Sequence, residues 1–377
     1  MKRCTMKKRI VILISASFLL LFFFLMIHNY YSKENTIDRF FEAIENEDSK
    51  MLQRLIQSDT DKLKVTEDSV EPFLRYFHKH DDQRNKLKEQ LLADSKENRK
   101  PKDGLIMLKS NNKKWVFFTT YQFEVKSHYI KLETDGKLQD AVITAGKEKL
   151  TANENGEYGP LVIGEHPLTI AFEDPFGNTI EVEKMLDLIK GTETVAIDQL
   201  EETVKNKTFQ DTVAAGAAHY YQTYGEALSN NLDVEKIQNS TSEHKKELAY
   251  LFEYVKTITK NYDYTFYGLV LNIASLNLTN TNEGWKIIVD GVVDQESSIQ
   301  LSDTDYFALQ PAEKSSDSVI LTLMYDDQKK SWLVEKENYE TYEKDAAKWT
   351  KKIEKVIETP TTYQWRKGDI DSVGIPI

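Results

Sequence analysis

An unbroken apolar run near the N-terminus is the strongest hydropathy signal in the chain. From Ile10 to Ile27 there are eighteen uncharged residues, of which Ser15 and Ser17 are polar. A helix rises about 1.5 Å per residue, so this run crosses most of a bilayer core of about 30 Å. Basic residues precede it and residues 1–32 contain no acid, so the positive-inside rule puts the N-terminus in the cytoplasm. The pattern predicts a cytoplasmic tail at 1–9, a transmembrane anchor at 10–29 and an exterior that begins near Ser32.

A cleaved signal peptide is the competing interpretation of this run. Its apolar core is normally shorter and ends at a small-x-small cleavage site. Here the run ends in Leu25-Met-Ile-His-Asn-Tyr-Tyr31, which contains no such site. The single cysteine, Cys4, precedes the run, so a lipoprotein-type cysteine after it is absent too. We therefore favour an uncleaved, single-pass anchor in the cell membrane with an extracellular C-terminus.

Helical periodicity follows the anchor. Ile37, Phe40, Phe41 and Ile44 lie at i, i+3, i+4 and i+7, which places them on one face of a helix. Further on, Thr66-Glu-Asp-Ser69 has the pattern of a helix N-cap, with Pro72 expected in or near the first turn. A charged helix is expected from Asp81 to Glu97. The sequence predicts a small helical domain over residues 33–102.

The pattern then changes to short strands. Residues 115–125 are rich in aromatic and β-branched side chains, which strands favour. Turn pairs such as Asn155-Gly156 and Gly159-Pro160 separate further strand candidates up to about residue 190. The spacing predicts a small β-sandwich-like domain over residues 103–190 and a linker with part of a helix at 191–207.

A third domain is predicted over residues 208–342. Two helical patterns, around Val213–Tyr224 and Leu248–Ile258, precede four long strand candidates at 262–279, 284–301, 318–325 and 331–339. Helices followed by a long antiparallel sheet indicate an α+β cone. A last helix is expected at Lys344–Glu358, within a C-terminal helix and tail at 343–377. The whole chain is thus predicted to be multidomain α+β.

Charge and cysteine content narrow the function. The chain has 377 residues, and the predicted exterior carries 44 basic and 61 acidic side chains, a net charge of −17. Such a surface repels nucleic acid, so a nucleic-acid partner is not expected. The predicted exterior contains no cysteine and hence no disulfide, which is ordinary outside a Gram-positive cell.

The order of these parts resembles that of the TcaA-like family, the teicoplanin-resistance-associated membrane proteins of Gram-positive bacteria. The matching features are Phe40-Phe-Glu-Ala-Ile44 with Asp48 and Leu52, the segment Asn155-Gly-Glu-Tyr-Gly-Pro-Leu161 with Gly164 and His166, and an NTF2-like domain that starts near Phe209. The resemblance implies an envelope protein that faces the cell wall and takes part in the glycopeptide response. Many relatives carry a cytoplasmic zinc ribbon, but a closed zinc site needs four ligands and this chain has Cys4 alone.

The sequence contains no Gly-rich phosphate loop, no Gly-x-Ser-x-Gly elbow and no His-Glu-x-x-His helix. The protein is therefore not expected to be an enzyme, and no cofactor or metal is expected. His78 and His80 invite a metal-site reading, but positions i and i+2 do not share a helix face. Asp290 and Asp294 lie on one face of a predicted strand and define the alternative of an NTF2-type enzyme. His219 is another candidate for a cavity wall, although a buried core histidine is the more common outcome.

Aromatic residues of the predicted cone are candidates for a ligand pocket, because aromatic faces and hydroxyls suit sugar rings or peptides. Packing in the core is the competing expectation for them. The candidates are Tyr220, Tyr224, Tyr264, Tyr267, Trp285 and Trp332. Two functions remain open for a non-enzymatic protein. One is binding to a cell-wall component such as peptidoglycan, and the other is a sensor or scaffold for a membrane partner such as a signalling kinase or a wall-synthesis enzyme.

Overall fold

The computed structural model describes residues 15, 17–19, 21–97, 104–115, 118–134, 138, 141–189, 191–302, 313–342, 344–368 and 375–376. The chain forms two compact units. Unit 1 comprises the residues up to Phe172 together with Glu181–Ile197, and unit 2 comprises Glu173–Ile180 and Asp198–Ile377.

Residues 21–30 are helical and their large apolar side chains are exposed, with Phe22 at 60% and Met26 at 60%. Within the described part of the chain, no helix is both long enough and apolar enough to cross a membrane. The predicted tail 1–9, with Cys4, lies outside the described residues. So do residues 10–14, 16 and 20 of the predicted anchor Ile10–Ile27.

Unit 1 begins with a helical layer. Its helices are α1 (Lys33–Glu45), α2 (Ser49–Leu55), α3 (Glu67–Lys79) and α4 (Asp81–Glu97). Polar side chains define their starts: the hydroxyl of Ser32 accepts from the backbone N–H of Asn35, and Thr66 forms a reciprocal capping box with Ser69. Pro72 lies inside α3, in its second turn rather than its first.

Three strands complete this first core. They are β1 (Ile56–Ser58), β2 (Ile106–Trp115) and β3 (Phe118–Val125), in the order β1-β3-β2. β1 is parallel to β3, and β2 is antiparallel to it. The ring centroids of Phe40 and Phe123 lie 4.1 Å apart, so the predicted helix face packs directly on β3. The predicted boundary at residue 102 therefore does not separate two cores, because β2 and β3 cover the helices that precede them.

Two four-stranded sheets form the rest of unit 1. Their orders are β10-β9-β5-β6 and β11-β4-β8-β7. The strands are β4 (His128–Thr134), β5 (Val142–Ala145), β6 (Glu148–Lys149), β7 (Thr151–Ala152), β8 (Glu157–Leu161), β9 (Gly164–Glu173), β10 (Thr179–Leu188) and β11 (Glu193–Ile197). The predicted linker 191–207 contains β11, which pairs with β4 in parallel. The side chains of Val195 and Ile197 alternate along β11 and are buried, as in a strand with one covered face.

Unit 2 packs helices on one long sheet. Its helices are α5 (Gln199–Lys205), α6 (Lys207–Ser229) and α7 (Ser242–Ile258). Its strands are β12 (Thr259–Asn272), β13 (Asn277–Thr281), β14 (Gly284–Leu301), β15 (Glu313–Asp326), β16 (Ser331–Tyr339), β17 (Lys352–Val356), β18 (Thr361–Arg366) and β19 (Ile375–Pro376). The sheet runs β16-β15-β14-β12-β18-β19, while β13 pairs with β14 and β17 pairs with β12.

The predicted helix Lys344–Glu358 is wrong. A 3-10 turn, Ala346–Lys348, and strand β17 occupy this segment instead. Ile353 of β17 is buried and lies opposite Leu271 of β12. Antiparallel pairing with β12 at five positions thus overrides the helical preference of the Lys and Glu residues in this segment.

Candidate functional site

A cavity of about 410 Å³ lies between the sheet and the helices of unit 2. We call it the tyrosine pocket. Five of its lining residues are tyrosines: Tyr221, Tyr224, Tyr262, Tyr264 and Tyr339. The others are Leu251, Gln295, Ser297, Asp317 and Glu337. Its volume is within the range of small-molecule sites, which is about 300–1,000 Å³.

Strand periodicity explains why these residues converge. In a strand, residues i and i+2 point to the same face. Tyr262 and Tyr264 form such a pair on β12, Gln295 and Ser297 on β14, and Glu337 and Tyr339 on β16. The strand pairing places Tyr264 opposite Ser297, and Leu321 of β15 opposite Glu337. Neighbouring strands thus present one continuous polar and aromatic surface to α6 and α7.

Glu337 is the buried ionisable group of this surface. Burial raises the pKa of its carboxyl, while the hydroxyls of Tyr221, Tyr220 and Tyr339 act in the opposite direction and lower the pKa. Its Oε2 atom is shielded from solvent and has no partner at full hydrogen-bonding geometry among the described residues. The carboxyl therefore has unused capacity to accept a hydrogen bond.

The tyrosines around Glu337 stay neutral. Burial raises the pKa of Tyr221, Tyr224 and Tyr264 well above the ordinary value of a phenol. Tyr339 also has a raised pKa through burial of its hydroxyl, although 48% of the whole residue remains exposed at the sheet edge. The negative charge of the pocket therefore comes from carboxylates alone.

Asp317 is the second carboxylate of the pocket. It accepts hydrogen bonds from Gln295 Nε2 at 2.7 Å and from Ser315 Oγ at 2.8 Å. These donors fix the orientation of the carboxylate. The lining thus holds two acids and no basic side chain.

The structure separates the six residues that the sequence suggested for one pocket. Tyr224 and Tyr264 line the tyrosine pocket. Tyr220 is buried in the core, where its hydroxyl and His244 Nε2 are 3.0 Å apart. Tyr267 lies in another cleft, where its hydroxyl donates to Glu296 Oε2 at 2.6 Å and Lys314 Nζ is 4.5 Å from the ring centroid.

Trp285 and Trp332 belong to an aromatic core cluster instead. Phe176 lies in the centre, with ring centroids at 5.4 Å from Trp285 and 5.2 Å from Trp332. Packing, the competing expectation, therefore describes these two tryptophans and Tyr220. Sequence reasoning missed the other eight lining residues, which are Tyr221, Leu251, Tyr262, Gln295, Ser297, Asp317, Glu337 and Tyr339. The pattern Glu337-x-Tyr339 on a predicted strand was the available signal.

The other candidate residues have ordinary partners. His80 Nδ1 donates to the carbonyl of Tyr76 at 2.8 Å, and His219 Nε2 is 2.9 Å from the side-chain oxygen of Gln238. His78 Nδ1 is exposed and lies 3.8 Å from Glu47. Across the residues that the structure describes, no group of three or more His, Cys, Asp or Glu side chains is arranged to hold a metal ion.

The carboxylates suggested for an enzyme are engaged separately. Asp290 forms an ion pair with Lys344 at 3.0 Å, and Asp294 accepts from Ser316 Oγ at 2.6 Å. Lys344 also pairs with Glu340. Each carboxylate thus has its own neutral or cationic partner.

Comparison with known proteins identifies two domains. Residues 33–125 match the model of the TcaA protein second domain, and residues 213–338 match the model of the YvbJ NTF2-like domain. Over these two stretches the chain is similar to TcaA and YvbJ. The first match ends at Val125, the last residue of β3, and the second lies within unit 2 and includes every lining residue of the tyrosine pocket except Tyr339, which follows its last position. The fold is α+β with an NTF2-like domain, as the resemblance implied.

Individual relatives share low sequence identity with this chain. The chain is 25% identical over 211 residues to the "Uncharacterized membrane protein YvbJ" of Bacillus subtilis (strain 168). The match covers 55% of this chain and 32% of YvbJ, so it spans about a third of that relative. Among solved structures, the intermembrane space region of the chloroplast protein ARC6 aligns with 34% of this chain and 95% of that chain at 12% identity. The TM-score is 0.28, too low to establish a common fold.

Proposed function

We propose that this protein is a membrane-anchored, non-enzymatic protein of the cell envelope that binds a cell-wall component through the tyrosine pocket. The observation that carries the proposal is a pocket of ligand size, lined by aromatic rings and polar groups, inside an NTF2-like domain. Such linings suit sugar rings and short peptides, because the rings stack and the hydroxyls and carboxylates form hydrogen bonds.

Two findings support the membrane attachment. The relative YvbJ is named a membrane protein. In addition, residues 21–27 of the predicted anchor form part of a helix whose large apolar side chains are 41–60% exposed. An apolar patch of this kind is typical of a surface that another phase or molecule covers. The proposed topology is single-pass, with a cytoplasmic N-terminus and the two units outside.

A role in the response to glycopeptides follows from the resemblance to TcaA. Glycopeptides act at the wall, so a wall-bound protein is placed to influence their effect. Asp290 pairs with Lys344 and Asp294 accepts a hydrogen bond from Ser316, so the two carboxylates do not act as a pair. This arrangement favours binding over hydrolysis.

Retention on insoluble peptidoglycan tests the proposal. The full chain in detergent is mixed with washed peptidoglycan, sedimented and quantified. Ser297→Phe fills the pocket and is expected to lower retention at least fivefold. Thr279→Phe adds the same ring at an exposed position of β13 and should retain binding. Retention no greater than that of an unrelated acidic protein would exclude wall binding, and equal retention of both variants would exclude the tyrosine pocket as its site.

A sensor or scaffold for a membrane partner is the second candidate. One observation favours it: α7 carries an exposed apolar face in which Tyr250 is 81% and Tyr254 is 60% exposed. Crosslinking from these two positions in cells, with and without a glycopeptide, distinguishes the candidates. A discrete protein adduct supports the scaffold, and adducts to wall material alone support direct binding.

A further inference from the structure

We propose that the tyrosine pocket recognises its ligand through a protonated amine, whose charge Glu337 and Asp317 neutralise and whose surface the tyrosine rings surround. The inference deepens the proposed function, because it names the group of the wall ligand that the pocket selects. It concerns a primary ammonium group and commits to no particular polymer.

Charge is the first argument. The lining residues include two carboxylates and no lysine, arginine or histidine. A ligand that enters with a phosphate or a carboxylate would meet like charge in a partly desolvated site, which disfavours anions. A neutral ligand would leave the carboxylates uncompensated. A positively charged ligand would instead stabilise both carboxylates electrostatically.

The hydrogen bonding of Glu337 favours a cationic ligand independently of charge. The hydroxyls of Tyr221, Tyr220 and Tyr339 interact with the carboxyl of Glu337, but its buried Oε2 atom lacks a fully formed hydrogen bond among the described residues. A buried acceptor without a donor lowers the stability of the fold. An ammonium group brings three N–H donors and no acceptor, so it supplies what this carboxyl lacks.

Aromatic rings are the third argument. Four tyrosines of the pocket, Tyr221, Tyr224, Tyr262 and Tyr264, come from α6 and β12 and stand against the carboxylates of β15 and β16. Neutral phenol rings attract a cation over their faces, and the attraction grows when the cation is desolvated. The same arrangement of rings and acids is a poor match for a nonpolar chain, because such a chain would bring no donor to Glu337 Oε2.

A matched pair of probes tests the charge requirement directly. Cadaverine carries two ammonium groups on a five-carbon chain, and 1,5-pentanediol replaces each with a hydroxyl. Both are titrated calorimetrically into the full chain in detergent at neutral pH. Cadaverine is expected to bind at least tenfold more tightly than the diol. Equal affinities, or no binding of cadaverine, would overturn the inference without any need for a variant.

Substitutions then locate the site. Glu337→Gln keeps the shape of the side chain and removes its charge, so the affinity for cadaverine should fall at least tenfold. Asp317→Asn is a second variant in the same pocket and should also weaken binding. Asp327→Asn removes one charge at an exposed turn of unit 2 and should change affinity less than twofold. If Glu337→Gln and Asp317→Asn both bind like Asp327→Asn, the amine binds elsewhere and the inference fails.

Wall material distinguishes the sources of the amine. Peptidoglycan treated with acetic anhydride has no free amines, and wall treated with mild alkali loses ester-linked amines only. Loss of retention on acetylated peptidoglycan supports the inference. If the protein is still retained on alkali-treated wall, the recognised amines belong to the peptides. Unchanged retention after acetylation would leave wall binding intact and refute amine recognition. Cadaverine binding with no retention on any wall would refute the proposed function alone.

Discussion

Replacement of Gly164 by alanine is expected to destabilise unit 1 severely. Gly164 begins β9, where the strand approaches the backbone of α3. A Cβ at this position would lie 2.5 Å from the backbone nitrogen of Phe73 and 2.5 Å from the carbonyl oxygen of Pro72. Gly164 also has a φ of +145°, which side-chain-bearing residues rarely adopt. The overlap involves backbone atoms, so no side-chain rotation relieves it.

The two effects set the magnitude. Overpacking against a fixed backbone costs about 1–3 kcal/mol. A side-chain-bearing residue in a glycine region of φ costs a further 1–3 kcal/mol, roughly. The loss of unfolding free energy should therefore be about 2–6 kcal/mol. Gly156→Ala is the matched control, because Gly156 has a φ of +76° but no atom within 4 Å of the new Cβ. Its cost should be about 1 kcal/mol.

Hydrogen exchange measured by mass spectrometry separates the two units. Each 1.4 kcal/mol is about a tenfold change in an opening equilibrium, so peptides from α3 and β9 should exchange at least about 25-fold faster in Gly164→Ala. The same peptides should exchange roughly fivefold faster in Gly156→Ala. Peptides of unit 2 should be unchanged in both. Equal changes in the two variants, within threefold, would refute the steric reasoning.

Three further predictions concern protons and caps. His166 is buried, and burial is the main reason that its pKa is lowered to about 4. Unit 1 should therefore lose about 3 kcal/mol of stability as pH falls from 6.5 through 4. His166→Gln should remove that loss, which urea unfolding at a series of pH values measures. Burial raises the pKa of Glu337, which means that the folded state holds this proton more tightly than the unfolded state. The stability of unit 2 therefore falls as pH rises through the raised pKa. Glu337→Gln should raise the melting temperature above that pH, and an unchanged melting temperature would contradict this. Thr66→Ala removes the cap of α3 and should cost about 1 kcal/mol in the exchange assay, with Thr151→Ala at an exposed position of unit 1 costing less.

Local patterns predicted much of the fold. The apolar face of Ile37, Phe40, Phe41 and Ile44 is buried on α1 as its periodicity required. Strands β14 and β16 have the predicted ends, because long alternation next to turn residues leaves few other solutions. The cap at Thr66 forms as the short motif indicated.

Long-range pairing accounts for what was missed. The segment around Ile353 has a helix-compatible composition, and only its position beside β12 makes it a strand. β2 and β3 join the helical core because Phe123 meets Phe40, a contact that no local pattern encodes. The domain boundary that the sequence suggested therefore fell inside one core.

The site was harder to predict than the fold for the same reason. Residue type selected aromatic candidates, but strand register decides which of them face the tyrosine pocket. Tyr264 faces it and Tyr267 does not, because three positions along a strand reverse the side. Glu337 looked like any surface acid in the sequence. Its burial depends on four strands and two helices that meet around the pocket.

The cost of Glu337 and its proposed use lead to one joint expectation. A buried carboxylate without a full hydrogen bond lowers the stability of the empty unit, whereas a bound cation repays that loss and adds its own binding free energy. Glu337→Gln should therefore melt higher than the wild type without ligand but gain little on addition of cadaverine. The wild type should gain more as cadaverine concentration rises, until the order of the two melting temperatures reverses. A purely structural role for Glu337 predicts parallel curves with no crossing, so the crossing separates a ligand-binding carboxylate from a poorly packed one.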